Sequence, residues 1–247
     1  MISVDEAYAH CEKVAKSHYE NFPVASVLVP HKMRKHLFAI YAFSRLADDI
    51  ADEPWTTNDQ ARLDALNLLE LKLQGVVNVS EDQVFIALHD TIATARLPLD
   101  LFLRLLAAFR SDVNFVAPTT WEQLLAYCSN SANPVGELFL RLDYAGDEPP
   151  AEAIEASNAI CTALQITNFL QDLGIDLARG RAYLPLDDAE VIRRTRALFD
   201  QGASVVGYAR SWRIRLELRA IIAGGRIMLW KCERRKDRLS RPIIPAR

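Results

Sequence analysis

Apolar residues recur at three- and four-residue intervals through 3–20, 32–52, 59–75, 81–95, 99–110, 120–142, 151–178 and 191–232. That is the repeat of a helix with one face turned to a core, and each stretch predicts a helix. Strand-like alternation is nearly absent, and Gly and Pro fall mainly between the periodic stretches. Pro23 and Pro30 bracket a short entry segment. Glu53-Pro54 predicts the end of the second helix, because a residue before proline resists the helical conformation. Asp143 through Pro150 is the clearest loop, dense in turn formers but too short to mark a domain boundary. No repeat or low-complexity tract interrupts the pattern. The expectation is a single all-α domain over residues 1–247.

Two of the expected helices carry acid where the pattern asks for oil. One ends Asp48-Asp49-Ile50-Ala51-Asp52, and the other runs Asn168-Phe169-Leu170-Gln171-Asp172-Leu173-Gly174-Ile175-Asp176. In each, carboxylates four residues apart share a face. Tyr41 and Arg45 lie on the face of Asp48 and Asp52, and Gln165 extends the stripe of Asn168, Asp172 and Asp176. Ile160, Ala163, Leu164, Ile166, Phe169 and Leu170 surround that second stripe, as expected of a helix central to a bundle. Paired carboxylates among apolar neighbours need a cation. Hard divalent ions held by carboxylate and amide oxygens and bridged to phosphate are the natural partner. Asp48, Asp49, Asp52, Asn168, Asp172 and Asp176 are the candidate ligands. Arg45 has two readings here, an internal salt bridge or a bidentate contact to phosphate. Arg179 and Arg181, just past the second stripe, also admit a surface role.

Composition narrows the field. With 247 residues, half of them apolar, and a net charge of −3, the chain can bury a sizeable core and has no basic surplus for nucleic acid. Cys11, Cys128, Cys161 and Cys232 are scattered without CxxC spacing, which suits structural thiols in a reducing compartment. His10, His18, His31, His36 and His89 show no ligand spacing, and neither a GxGxxG nor a P-loop motif is present. The opening Met-Ile-Ser-Val-Asp-Glu lacks the basic-then-apolar order of a signal peptide. No apolar run approaches the roughly 20 residues that cross a bilayer. A cytoplasmic protein is expected, with at most peripheral contact on the inner membrane face. The basic tail, Lys231 through Arg247 with Leu239, Ile243 and Ile244, suits such contact. It equally suits a merely solvated terminus.

Arg45 through Asp52, Tyr127-Cys128 through Val135-Gly136, and Asn168 through Asp176 followed by Gly180-Arg181-Ala182-Tyr183-Leu184-Pro185 together resemble the squalene/phytoene synthase family. Asn21 through Ser26, Ser131 through Gly136 and Arg215 through Ala220 are most similar to its bacterial hydroxysqualene synthases. The resemblance implies a class I isoprenoid synthase helical bundle whose two acidic helices face each other across a central cavity. It implies Mg2+ between those helices and a substrate diphosphate. It puts Tyr127, Tyr41 and Arg45 at the reacting centre, and Ser26, Arg45, Gln165, Gln171, Arg181 and Tyr183 around the diphosphate. The implied reaction takes presqualene diphosphate to hydroxysqualene by ionisation, rearrangement and capture by water. Head-to-head condensation of two farnesyl diphosphates, or squalene or phytoene synthesis, is the alternative. A non-catalytic assembly factor is a further alternative, though eroded acidic motifs would mark it and both are intact. Neighbouring squalene-pathway enzymes are implied partners. One departure stands out: family members carry a longer stretch after the Tyr-Leu-Pro motif, whereas here Asp187-Asp188-Ala189 passes straight into the next helix. That leaves one cavity wall open or supplied by another chain, or equally means that a loop is missing from this sequence.

Overall fold

The computed structural model describes residues 2–17, 28–53 and 55–243. Every regular element among them is helical: α1 Val4–Ser17, α2 His31–Asp52, α3 Asp59–Leu73, α4 Gln83–Ala95, α5 Leu99–Val113, α6 Trp121–Ser131, α7 Asn133–Asp143, α8 Ala151–Gln171, α9 Leu173–Ala178, α10 Asp188–Gly202, α11 Val205–Tyr208 and α12 Trp212–Arg234. The chain divides into two compact units, Met1–Asn114 with Leu138–Pro149, and Phe115–Glu137 with Pro150–Arg247.

In the first unit α2 packs against α1, α3, α4 and α5. Phe43 of α2 meets Phe85 and Phe102 edge-on, with centroids 6.0 and 5.7 Å apart, and all three are fully buried. A polar knot under α1 is satisfied internally: Tyr8 Oη donates to Asp90 at 2.7 Å and also meets Thr91 and His36. Burial holds the His36 imidazole below its usual pKa. Asn58 and Asp82 cap α3 and α4 with side-chain oxygens, as polar residues at those positions should. Arg62 of α3 reaches back to the carbonyls of Ala51, Glu53 and Thr56, at 2.5, 3.1 and 2.9 Å. Its cation sits where the α2 dipole is negative and the last carbonyls lack partners.

In the second unit α8 is central, against α6, α9, α10, α11 and α12. Close approach depends on absent side chains. A Cβ on Gly202 would lie 2.6 Å from the carbonyl oxygen of Ala156, and one on Gly225 2.6 Å from Leu164. Gly136 of α7 abuts Ser157 and Cys161, where a Cβ would lie within 2.5 Å of both their side chains.

Three of the expected helices are broken. The 120–142 stretch divides at Ala132, just before Asn133-Pro134, because proline cannot donate the bond a continuous helix needs there. The 151–178 stretch divides at Asp172, whose φ of −96° and ψ of 11° leave the helical range. The 191–232 stretch becomes α10, α11 and α12, the last opened by Ser211 accepting from the Ile214 amide. Helix α10 starts at Asp188, directly after the Asp187 cap, so the Tyr-Leu-Pro segment leads straight into it. Among the described residues the tail is not merely solvated. Residues 235–243 run back along the end of α8, where Arg235 donates to the Leu170 carbonyl and Gln171 to the Pro242 carbonyl.

Candidate functional site

The first acidic set closes α2. Asp48 and Asp52 lie a turn apart and partly buried. The Asp48 carboxyl is pushed up to about 6, first by burial and then by Asp52, with Asp49 and Asp112 adding and Arg45 opposing. Such a site favours a bound cation. Arg45 is engaged within its own helix, 3.3 Å from Asp48, 2.5 Å from Asp49 and 3.6 Å from Glu53. The internal salt bridge is thus the arrangement formed. Arg45 and Asp49 line an open depression of about 560 Å³ with Ile50, Glu53, Trp55 and Ala65, and neither Asp48 nor Asp52 lines it. Asp49 makes the shorter contact with Arg45, and Asp48 a longer one. Tyr41 is half-buried one helical turn before Arg45.

The second set straddles the α8–α9 junction. Asn168 is exposed, Gln165, Asp172 and Asp176 are half-buried, and Gln171 is buried. The backbone register survives the bend, since the Asp172 amide donates to Asn168 O at 2.8 Å and the Asp176 amide to Asp172 O at 2.9 Å. Gly180, at φ 75°, then turns the chain so that the Arg181 amide donates to Asp176 O at 2.8 Å. A left-handed residue at a helix end suits glycine. The turn brings Arg181 beside the acidic stripe. Asp172 is met by Arg241 from the tail.

One turn inward from Asp172 the surface becomes aromatic. Phe169 stacks on Tyr183 at 4.1 Å between centroids and 10° between planes, and Tyr127 leans on both at 5.9 and 5.4 Å. Phe115 adds an edge at 4.9 Å from Tyr183. Tyr183 presents a buried ring to this cluster. Phe169 reads in sequence as core or cavity lining and Phe115 carries no signal, because ring-to-ring contact between distant segments leaves no period in the chain. Ser26 lies outside the described residues. Among the described residues no three Asp, Glu, His or Cys side chains converge to cage an ion by themselves. No helix of the described residues is long and apolar enough to cross a membrane.

The same helical architecture is found in solved isoprenoid-pathway proteins. A squalene synthase from Alicyclobacillus acidocaldarius superposes with a TM-score of 0.83 over 94% of this chain and 94% of its own, at 34% identity. The fold is therefore the all-α isoprenoid synthase fold, of a type that typically uses divalent metal. The family model for squalene/phytoene synthase matches residues 15–190, and this chain belongs to that family. A hydroxysqualene synthase of Rhodopseudomonas palustris is 40% identical over 68% of this chain and 56% of its own length. A 15-cis-phytoene synthase of Synechocystis sp. is 32% identical over 76% of this chain and 58% of its own. The chain thus spans less than two thirds of the length of these two relatives.

Proposed function

We propose that this protein converts presqualene diphosphate to hydroxysqualene, releasing diphosphate, within squalene and hopanoid biosynthesis. The observation that carries this is the juxtaposition of the Tyr127, Phe169 and Tyr183 rings with the Asn168, Asp172 and Asp176 oxygens on one helix end. An oily aromatic wall beside an all-oxygen donor set suits a hydrocarbon chain carrying a diphosphate. The likeness to a hydroxysqualene synthase supports the particular reaction.

The donor set fits a hard divalent ion: carboxylates and amides, with the pKa of the Asp48 carboxyl raised by burial and then by the like charge of Asp52. Magnesium usually takes one or two carboxylates together with substrate phosphate, so no three-carboxylate cage is required. Asp48, Asp52, Asn168, Asp172 and Asp176 would hold it. When bound it would supply the positive charge against which diphosphate departs. Both acidic sets are assigned to one diphosphate within a single catalytic domain. Arg45 and Arg181 are the nearby guanidiniums for its oxygens, with Ser26, Gln165 and Gln171 as hydrogen-bonding partners. The C–O bond breaks and leaves a carbocation. Tyr127, Tyr183 and Phe169 shield that cation by their ring faces and exclude stray water while it rearranges. A water molecule then attacks, and loss of its proton to solvent gives the alcohol. Peripheral contact with a membrane face belongs to this proposal, because each CH₂ of such a product disfavours water by about 0.8 kcal/mol.

Incubation with presqualene diphosphate in isotopically labelled water, with and without magnesium and without any nicotinamide cofactor, tests the reading. Labelled hydroxysqualene formed only with metal is expected. Turnover of farnesyl diphosphate alone, or squalene formed only with a reductant, would move the assignment to the condensing enzymes of the family.

A further inference from the structure

The basic tail makes a fitted set of contacts on the second acidic helix end. Arg235, whose side chain is only 6% exposed, donates to Leu170 O at 2.5 Å and lies 3.5 Å from Asp188. Arg238 forks onto both carboxylate oxygens of Asp188 at 2.9–3.1 Å. The Leu239 carbonyl lies against Gly174, where any Cβ would collide with it. Gln171 Nε2 donates to Pro242 O at 2.9 Å, and Lys231 Nζ to Ile243 O at 2.6 Å. Between these anchors the Arg241 guanidinium sits on Asp172 Oδ1. Two consecutive polar residues at the end of α8, Gln171 and Asp172, are thus both taken up by the strap.

We propose that Arg241 is a positioning residue that stands in for a divalent cation at Asp172, and that the end of the strap yields when metal binds. The inference rests on the reading of Asp172 as a metal ligand. One carboxylate oxygen cannot take a head-on guanidinium and a metal ion in the same direction, and the two cations repel. Arg235 at the root of the strap is nearly buried, whereas the Arg241–Asp172 pair is part-exposed, Arg241 at 39% and Asp172 at 27%. Part-exposed ion pairs are weak, so a metal with phosphate oxygens to complete its shell can outcompete this one. Until then Arg241 keeps Asp172 aimed and neutralised. The apparent metal affinity is lowered by the fraction of molecules in which the strap is seated.

Two measurements on the full chain test this. Manganese(II) binding, followed by its electron spin resonance signal, compares wild type with R241Q, R241K and D172N. R241Q should bind manganese about three- to fivefold more tightly, the scale of one part-exposed ion pair, and R241K should behave as wild type. Trypsin cleavage at Arg238–Leu239 reports the strap, since the Arg241–Pro242 bond resists the protease. Manganese with inorganic diphosphate should speed that cleavage in wild type, and R241Q should be cut quickly without either. Equal or weaker manganese binding by R241Q, or cleavage indifferent to metal, overturns the proposal. If D172N still loses manganese binding in that case, the reading of Asp172 as a ligand stands alone. D172N binding manganese as wild type does would sink both.

Discussion

Asp48 carries the plainest consequence of charge placed on an apolar helix. Its carboxyl sits at about 6 because burial and Asp52 both disfavour the anion. The folded protein therefore holds this proton more tightly than the unfolded chain, whose aspartates titrate near about 4. The group's contribution to stability is complete below about pH 4 and is lost as pH rises through about 6. Asp48→Asn should raise the melting temperature at pH 7.5 and leave it unchanged at pH 4. With solvent screening reducing the effect to roughly 1 kcal/mol, the shift should be about 2–4 °C. A melting temperature lowered at pH 7.5 would show that Asp48 is a structural anion instead. The carboxylate spacing was legible in the chain, but its division of labour was not. Asp49, one residue from Asp48, pairs with Arg45 at 2.5 Å against 3.3 Å for Asp48, and only side-chain directions on the folded helix set that difference.

At the scale of elements, most helices were legible because their apolar period is long and unbroken. The breaks were not, since they depend on single residues whose local geometry competes with the period: Pro134 after Asn133, Asp172 leaving helical φ and ψ, and Ser211 as a cap. Packing distance is equally invisible in sequence. Gly202 and Gly224 look alike along the chain, yet a Cβ on Gly202 meets the Ala156 backbone at 2.6 Å while one on Gly224 meets nothing within 4 Å. Gly202→Ala should cost about 1–3 kcal/mol by forcing α10 away from α8. Gly224→Ala should gain up to about 1 kcal/mol from reduced backbone freedom in a helix. Urea denaturation of the two variants checks both signs, and similar effects would refute the packing distinction.

For the molecule as a whole, the proposed function needs both acidic sets to serve one diphosphate. Asp48→Asn and Asp172→Asn should each lower kcat/KM for presqualene diphosphate by about 100-fold or more, the loss expected when charge stabilisation at the leaving group is removed. If they act as a unit, the double variant should be little worse than either single one. Multiplying losses would mean separate roles. The amino-acid order alone determined the helical class, the two acidic clusters and the family, because periodicity and motif spacing are local properties that survive in one dimension. Only the tertiary structure decided that Phe115, Tyr127, Phe169 and Tyr183 form one aromatic surface, that Arg62 holds the end of α2, and that Arg241 covers Asp172. Those contacts join segments far apart in the chain, and their partners are set by how helices pack, which no local pattern encodes.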